Sequence, residues 1–161
     1  MKTDFVGIGE LKIADSHYSE LKVMGLGSCV AVIFYSAVKQ ILGIAHVALP
    51  TALNGEYSQR GPAYFADDAI VNMLEKFKQR GVFNRRDFTI KLVGGASIMD
   101  PHKRFDIGNR NIVAIKKILW LHQLAAFSED LGGRISRTVK VDVASGRVLI
   151  SSPDIGSWEL K

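Results

Sequence analysis

Two apolar runs only four residues apart constrain this chain more than any other feature. Residues 29–35 (CVAVIFY) and 40–49 (QILGIAHVAL) are rich in β-branched and aromatic side chains, and only Ser36, Ala37, Val38 and Lys39 separate them. Such runs favour buried strands, and so short a connection makes them antiparallel neighbours in a hairpin. Pro50 ends the second run, because proline has no N–H to give to a strand ladder.

The other segments arrange themselves around that hairpin. Residues 5–14 read as a first strand broken by Gly7 and Gly9, and residues 20–24 as a short extended piece running into Gly25-Leu26-Gly27-Ser28. Asn54-Gly55 and Gly61-Pro62 mark residues 51–61 as a loop. Residues 63–80 carry Phe65, Ala69, Ile70, Met73, Leu74 and Phe77 at the spacing of one helical face. Pro62 suits the first helical position and Gly81 the residue past the end. Asp67 and Asp68 early and Lys76, Lys78 and Arg80 late complement the helix dipole. Residues 87–93 read as a strand that runs into Gly94-Gly95-Ala96-Ser97. Residues 109–121 read as a second amphipathic helix capped by Asn109, and residues 124–128 as a short strand. Residues 137–143 and 147–151 form a hairpin through Ala144-Ser145-Gly146. Hairpins outnumber strand–helix–strand units, which makes the chain α+β, largely antiparallel, with about seven or eight strands and two long helices. Its 161 residues suit a single domain, 1–161.

Composition removes several function classes. Hydrophobic residues make up 47% and charged residues 23%, the balance of an ordinary globular protein. Lys2, Asp4, Glu10 and Lys12 interrupt the N-terminus, and no apolar stretch reaches the roughly 18 residues of a membrane span, so neither a signal peptide nor membrane insertion is expected. The single cysteine permits no internal disulfide and no multi-cysteine metal site. It fits a reducing, cytoplasmic compartment. The formal charge of +5 is scattered and reads either as a solvated surface or as attraction to an acidic partner, and it lacks the runs of like charge that nucleic-acid binders carry.

Hairpin register joins the two residues with chemical potential. Pairing Tyr35 with Gln40 places Cys29 opposite His46 on one face of the sheet. Directly opposed residues have Cβ atoms about 4.5–5.5 Å apart, within reach of a thiol–imidazole hydrogen bond. An imidazole beside a thiol takes its proton to give the nucleophilic thiolate, then returns a proton to a departing amine. A thiol so activated alkylates well below its ordinary pKa of about 8.5. Gly25 and Gly27 let a substrate approach closely, and backbone N–H groups around Ser28 and Cys29 could then hold a developing oxyanion. From the residues alone two plainer readings stand beside this one. A cysteine at a strand start is also a small buried hydrophobe, and a histidine between Ala45 and Val47 is also a satisfied core residue.

Other candidates are weaker. Gly94 and Gly95 follow a strand and read either as an anion-binding nest or as a tight turn. Gly7-x-Gly9 lacks the rest of a nucleotide fingerprint. His102 lies in a polar, solvated stretch, and His17 and His122 have no evident partner. Acidic residues do not cluster with histidines, so no metal site is expected.

Gly25-Leu26-Gly27-Ser28-Cys29-Val30 followed by Ala45-His46-Val47-Ala48-Leu49-Pro50 resembles the CheD family of chemoreceptor glutamine deamidases. Tyr64-Phe65-Ala66-Asp67-Asp68-Ala69-Ile70, Lys91-Leu92-Val93-Gly94-Gly95-Ala96-Ser97, Ile107-Gly108-Asn109-Arg110-Asn111 and Asp130-Leu131-Gly132-Gly133 are similar to later family signatures in the same order. So is the closing hairpin with Ser145-Gly146. The resemblance spans residues 5–151. It implies a mixed β-sandwich flanked by helices, related to deamidating bacterial toxins. It also implies an activity without cofactor or metal. Cys29 attacks a receptor glutamine, His46 serves as base and acid, and a thioester is hydrolysed to glutamate. Gly27, Ser28, Gly94 and Gly95 become candidates for oxyanion and substrate binding. The implied partners are the acidic helical bundle of chemoreceptor cytoplasmic regions, towards which a basic enzyme is steered, and a CheC-type phosphatase that competes with receptor. Two positions depart from the pattern. Val23 stands where the family usually has a threonine that orients the histidine, and its main-chain carbonyl is the expected substitute. Ser136 stands where glycine is frequent. A site weakened at Val23 leaves a second possibility, a CheD-like binding module that docks the phosphatase without catalysis.

Overall fold

The computed structural model describes residues 2–52, 59–100 and 102–161, so Asn54-Gly55 of the expected 51–61 loop lies outside the described residues. Among the described residues ten strands form two five-stranded sheets. The first sheet runs in the order β1 (Thr3–Phe5), β3 (Glu20–Leu26), β8 (Arg137–Asp142), β9 (Val148–Ser152) and β10 (Gly156–Leu160). The second runs β2 (Leu11–Ala14), β5 (Ile41–Val47), β4 (Val30–Ser36), β6 (Thr89–Gly94) and β7 (Ser128–Leu131). Pairing is antiparallel except at β1–β3 and β6–β7. Two helices, α1 (Ala66–Gln79) and α2 (Ile107–Leu121), cover the second sheet. The architecture is the expected α+β sandwich, mixed and mostly antiparallel.

Strand β4 shows why the sequence near residue 30 is apolar without alternation. All seven of its residues are buried. Val30, Val32 and Phe34 face the helices and meet Ile70, Met73, Phe77, Ile115 and Leu119. Ala31, Ile33 and Tyr35 face the first sheet and meet Val23, Val139, Val141 and Ile150. A strand covered on both faces needs apolar side chains at every position. Truncating such a residue, Phe34 for instance, removes about 3–5 kcal/mol of stability.

Several boundaries differ from expectation, each for a local reason. The glycine break in residues 5–14 divides them between the two sheets, with the turn made at Gly9 (φ +81°). Helix α1 begins at Ala66 rather than beside Pro62. Phe65 is still extended and bridges to Leu49, and the Leu49 and Pro50 carbonyls take the Ala66 N–H at 3.0 and 3.1 Å. Helix α2 begins at Ile107, with Asp106 rather than Asn109 at the cap. The Asp100 carboxylate forces that earlier start by accepting the N–H groups of Arg104, Phe105 and Asp106 at 2.7, 2.9 and 2.8 Å. The strand expected at 124–128 is displaced to β7, because Leu124 is drawn into the core under the helices. Strand β10 has no counterpart in the sequence reading. Its Trp158 indole N–H donates to Asp130 at 2.7 Å.

The central hairpin forms, with a shifted register. Ser36 pairs with Ile41 and Ala31 with His46, so the turn is residues 37–40. Gln40 adopts a left-handed conformation (φ 52°), which ends the turn one residue later and lets apolar Ile41 join the ladder.

Candidate active site

His46 lies in the interior of β5, 4% exposed, on the face turned towards the first sheet. Val6, Gly9 and Glu10 each hydrogen-bond to it. Its main-chain N–H donates to the Glu10 carbonyl at 3.0 Å, and its carbonyl accepts the Gly9 N–H at 2.9 Å. Its ring Nδ1 lies 3.0 Å from the Val6 carbonyl. A carbonyl can only accept, so Nδ1 carries the proton and Nε2 keeps its lone pair. Burial draws the His46 pKa down, against the Val6 hydrogen bond and the nearby Glu10 charge, which both favour the imidazolium. The ring is thus a neutral base of defined tautomer.

Cys29 precedes β4 and is half-buried. The observed register puts Ala31, not Cys29, directly opposite His46. The physical reason is the later turn at Gln40. The shift preserves the face. Cys29 packs against the same inter-sheet cluster as Ala31 and Ile33, which places it diagonal to His46, a separation of about 7–8 Å across a sheet. No thiol–imidazole hydrogen bond is formed among the described residues. Burial pushes the Cys29 thiol up. Both shifts favour the thiol and the neutral imidazole over the expected thiolate–imidazolium pair.

The turn that presents Cys29 is held from behind. A bulge in β3 between Val23 and Leu26 shifts the register before Leu26 pairs with Arg137 of β8 and the strand ends. The Gly27 carbonyl then accepts the Ala96 N–H at 2.8 Å, and the Cys29 carbonyl accepts the Gly95 N–H at 2.8 Å. The Ser28 carbonyl accepts from the Asn111 side chain at 2.9 Å. Among the described residues the N–H groups of Gly27, Ser28 and Cys29 donate to no protein acceptor. Beside this turn opens a cleft of about 260 Å³, lined by Gly27, Ser28, Ile98, Met99 and Phe105 among others. Its rim is apolar and open, with Met99 94% and Phe105 66% exposed.

The family profile described as CheD chemotactic sensory transduction matches residues 48–152. A protein of Syntrophotalea carbinolica named probable chemoreceptor glutamine deamidase CheD is 40% identical over 157 residues, covering 96% of this chain and 97% of its own. This chain belongs to the CheD family. Proteins of the same name from Clostridium kluyveri and Solibacter usitatus are 39% and 36% identical, covering 96% and 92% of this chain and 96% and 88% of their own. The profile match begins after Cys29 and His46, whereas the alignment to the Syntrophotalea CheD extends over nearly the whole chain.

Within this CheD fold the proposed site residues take different places. Gly27, Ser28 and Cys29 are consecutive at the end of the central hairpin where Val30 pairs with Val47, the neighbour of His46, and of these residues Gly27 and Ser28 line the cleft. Val23 does not orient His46, because the ring N–H is already taken by Val6. The Val23 side chain is sealed in the core and its backbone pairs with Val139. Gly95 offers no N–H to a substrate oxyanion, since Cys29 uses it. Gly94 (φ +122°) serves by having no side chain, for a Cβ there would collide with the Cys29 carbonyl. The sequence reading missed Val6 and the contacts of Asn111. A main-chain acceptor leaves no trace in side-chain identity, whereas a polar residue inside the apolar stripe of α2 was a signal available for Asn111. No helix among the described residues is long and apolar enough to cross a membrane, and no group of acidic, histidine or cysteine residues there could hold a metal ion.

Proposed function

We propose that this chain deamidates glutamine side chains of chemoreceptors to glutamate, with Cys29 as nucleophile and His46 as base and acid. The observation that carries the reading is the fixed tautomer of His46, whose free Nε2 lies on the same sheet face as Cys29. In the first step the Cys29 sulfur bonds to the carboxamide carbon as its proton passes to Nε2. The carbonyl oxygen becomes an oxyanion facing the free N–H groups of Ser28 and Cys29. The C–N bond then breaks, the imidazolium gives its proton to the leaving nitrogen, and ammonia departs. In the second step His46 takes a proton from water, the resulting hydroxide attacks the thioester, and the C–S bond breaks to release glutamate and return the thiol.

A substrate glutamine borne on an acidic helical bundle suits the basic charge of the chain, +5, and locates the reaction in the cytoplasm. The apolar rim at Met99 and Phe105 is where receptor and a CheC-type phosphatase would compete. The catalytically silent binding module is disfavoured, because Val6 supplies the orientation that Val23 lacks a hydroxyl to give. Incubation with a purified chemoreceptor cytoplasmic fragment tests the reading. Wild type should release ammonia and raise discrete glutamine-containing peptides by about one mass unit, and Cys29→Ala should do neither. An unmodified receptor after incubation with wild type would refute it.

A further inference from the structure

We infer that Asn111 is a positioning residue for the oxyanion-holding N–H of Cys29, an inference that rests on the deamidase reading. Three successive carbonyls of the nucleophile turn are captured from inside. Those of Gly27 and Cys29 are held by backbone N–H groups of Ala96 and Gly95, each at 2.8 Å. The middle one, Ser28, is held by a side chain, the Asn111 carboxamide, at 2.9 Å. In a trans peptide unit the C=O and the following N–H point in opposite directions. Capturing the Ser28 carbonyl therefore turns the Cys29 N–H away from α2 and out of the core. That N–H has no protein acceptor among the described residues.

Asn111 does more than hold one peptide. Its second Nδ2 hydrogen goes to the Ala48 carbonyl at 3.0 Å, two residues beyond His46. One carboxamide thus ties the Cys29 turn to the strand that carries the base. Because Nδ2 serves two carbonyl acceptors, the side-chain orientation is determined. Asn111 is wholly buried, and its Oδ1 has no partner. A buried orphan acceptor destabilises a fold, and an apolar side chain of like size would avoid it. Its two donors give the chain something a leucine there would not.

The test exploits a difference between two reactions of the same sulfur. Deamidation passes through an oxyanion, whereas alkylation by iodoacetamide, a displacement at a saturated carbon, does not. Asn111→Leu keeps the volume and removes the donors, and Asn111→Asp keeps the shape should the leucine variant fail to fold. With a chemoreceptor cytoplasmic fragment as substrate, either variant should lower kcat for deamidation by about 10–100-fold with KM within about twofold. The alkylation rate of Cys29 should stay within about twofold of wild type. For Asn111→Asp, the rate relative to wild type should rise as pH falls, because a protonated carboxyl regains one donor. Unchanged deamidation in the folded variants overturns the inference. So does a parallel fall in alkylation, which would mean that the turn has simply lost its place. An inactive wild type overturns the deamidase reading and this inference with it, whereas an active wild type with unaffected variants overturns this inference alone.

Discussion

The ring N–H of His46 donates to the main-chain carbonyl of Val6, forty residues earlier in the chain, at 3.0 Å. The contact crosses from β5 to the turn between β1 and β2, and that turn also grips the His46 backbone through Gly9 and Glu10. Orientation of the imidazole is therefore a property of how the N-terminal segment passes between the two sheets. A side-chain hydroxyl at position 23 is not needed for it.

Substitutions at the two valines separate these possibilities. Val6→Ala leaves the carbonyl in place, so kcat should stay within about threefold of wild type, while trimming a buried side chain lowers stability by about 1–2 kcal/mol. Val23→Thr should not raise activity, because the ring N–H is already engaged. It should instead destabilise the fold by about 1–3 kcal/mol by burying a hydroxyl among apolar neighbours. Steady-state kinetics and urea midpoints read both outcomes. A marked gain in kcat for Val23→Thr would contradict the assignment of Val6.

The resting protonation states set the pH profile. His46 must be neutral to accept a proton, and burial lowers its pKa, so the acid limb of kcat/KM should fall below the ordinary histidine value of about 6.5. Cys29 must carry its proton for the concerted step, and burial raises its pKa, so the alkaline limb should lie above about 8.5. A preformed thiolate–imidazolium pair would reverse the two assignments, with the thiol titrating on the acid side. The pH dependence of iodoacetamide alkylation distinguishes the two, since the neutral pair becomes reactive only on the alkaline side.

Gly94→Ala should be among the most damaging single-methyl additions in the chain. The residue has φ +122°, and its new Cβ would run into the Cys29 carbonyl, a rigid backbone atom. Activity on a receptor fragment should fall by at least about 100-fold, with a stability loss of about 2 kcal/mol or more. Deamidation assays and thermal melts measure the two effects.

Much of this architecture is legible in the chain itself, for identifiable reasons. The hairpin of β4 and β5 is declared by an apolar run and a short turn, and α1 by its stripe of Ala69, Ile70, Met73 and Phe77. That Cys29 and His46 share a face survived a register error, because the shift moved their pairing by an even number of residues. The shift itself depends on the left-handed backbone of Gln40, a conformation that glutamine does not advertise. The orienting role of Val6 was invisible because a main-chain carbonyl is common to all residues. Strand β10 went unread because it is an edge strand whose residues Gly156–Leu160 are exposed or half-buried, without a strong alternation to mark it.

In the proposed mechanism one sulfur carries the reaction, and the chain contains a single cysteine. Wild-type protein can therefore be alkylated to increasing extents, the carbamidomethylated fraction of Cys29 read by mass spectrometry, and residual deamidation of a chemoreceptor fragment measured on the same samples. Activity should decline in direct proportion to the alkylated fraction and reach zero when alkylation is complete. Deamidation that persists in fully alkylated protein would rule out Cys29 as the nucleophile.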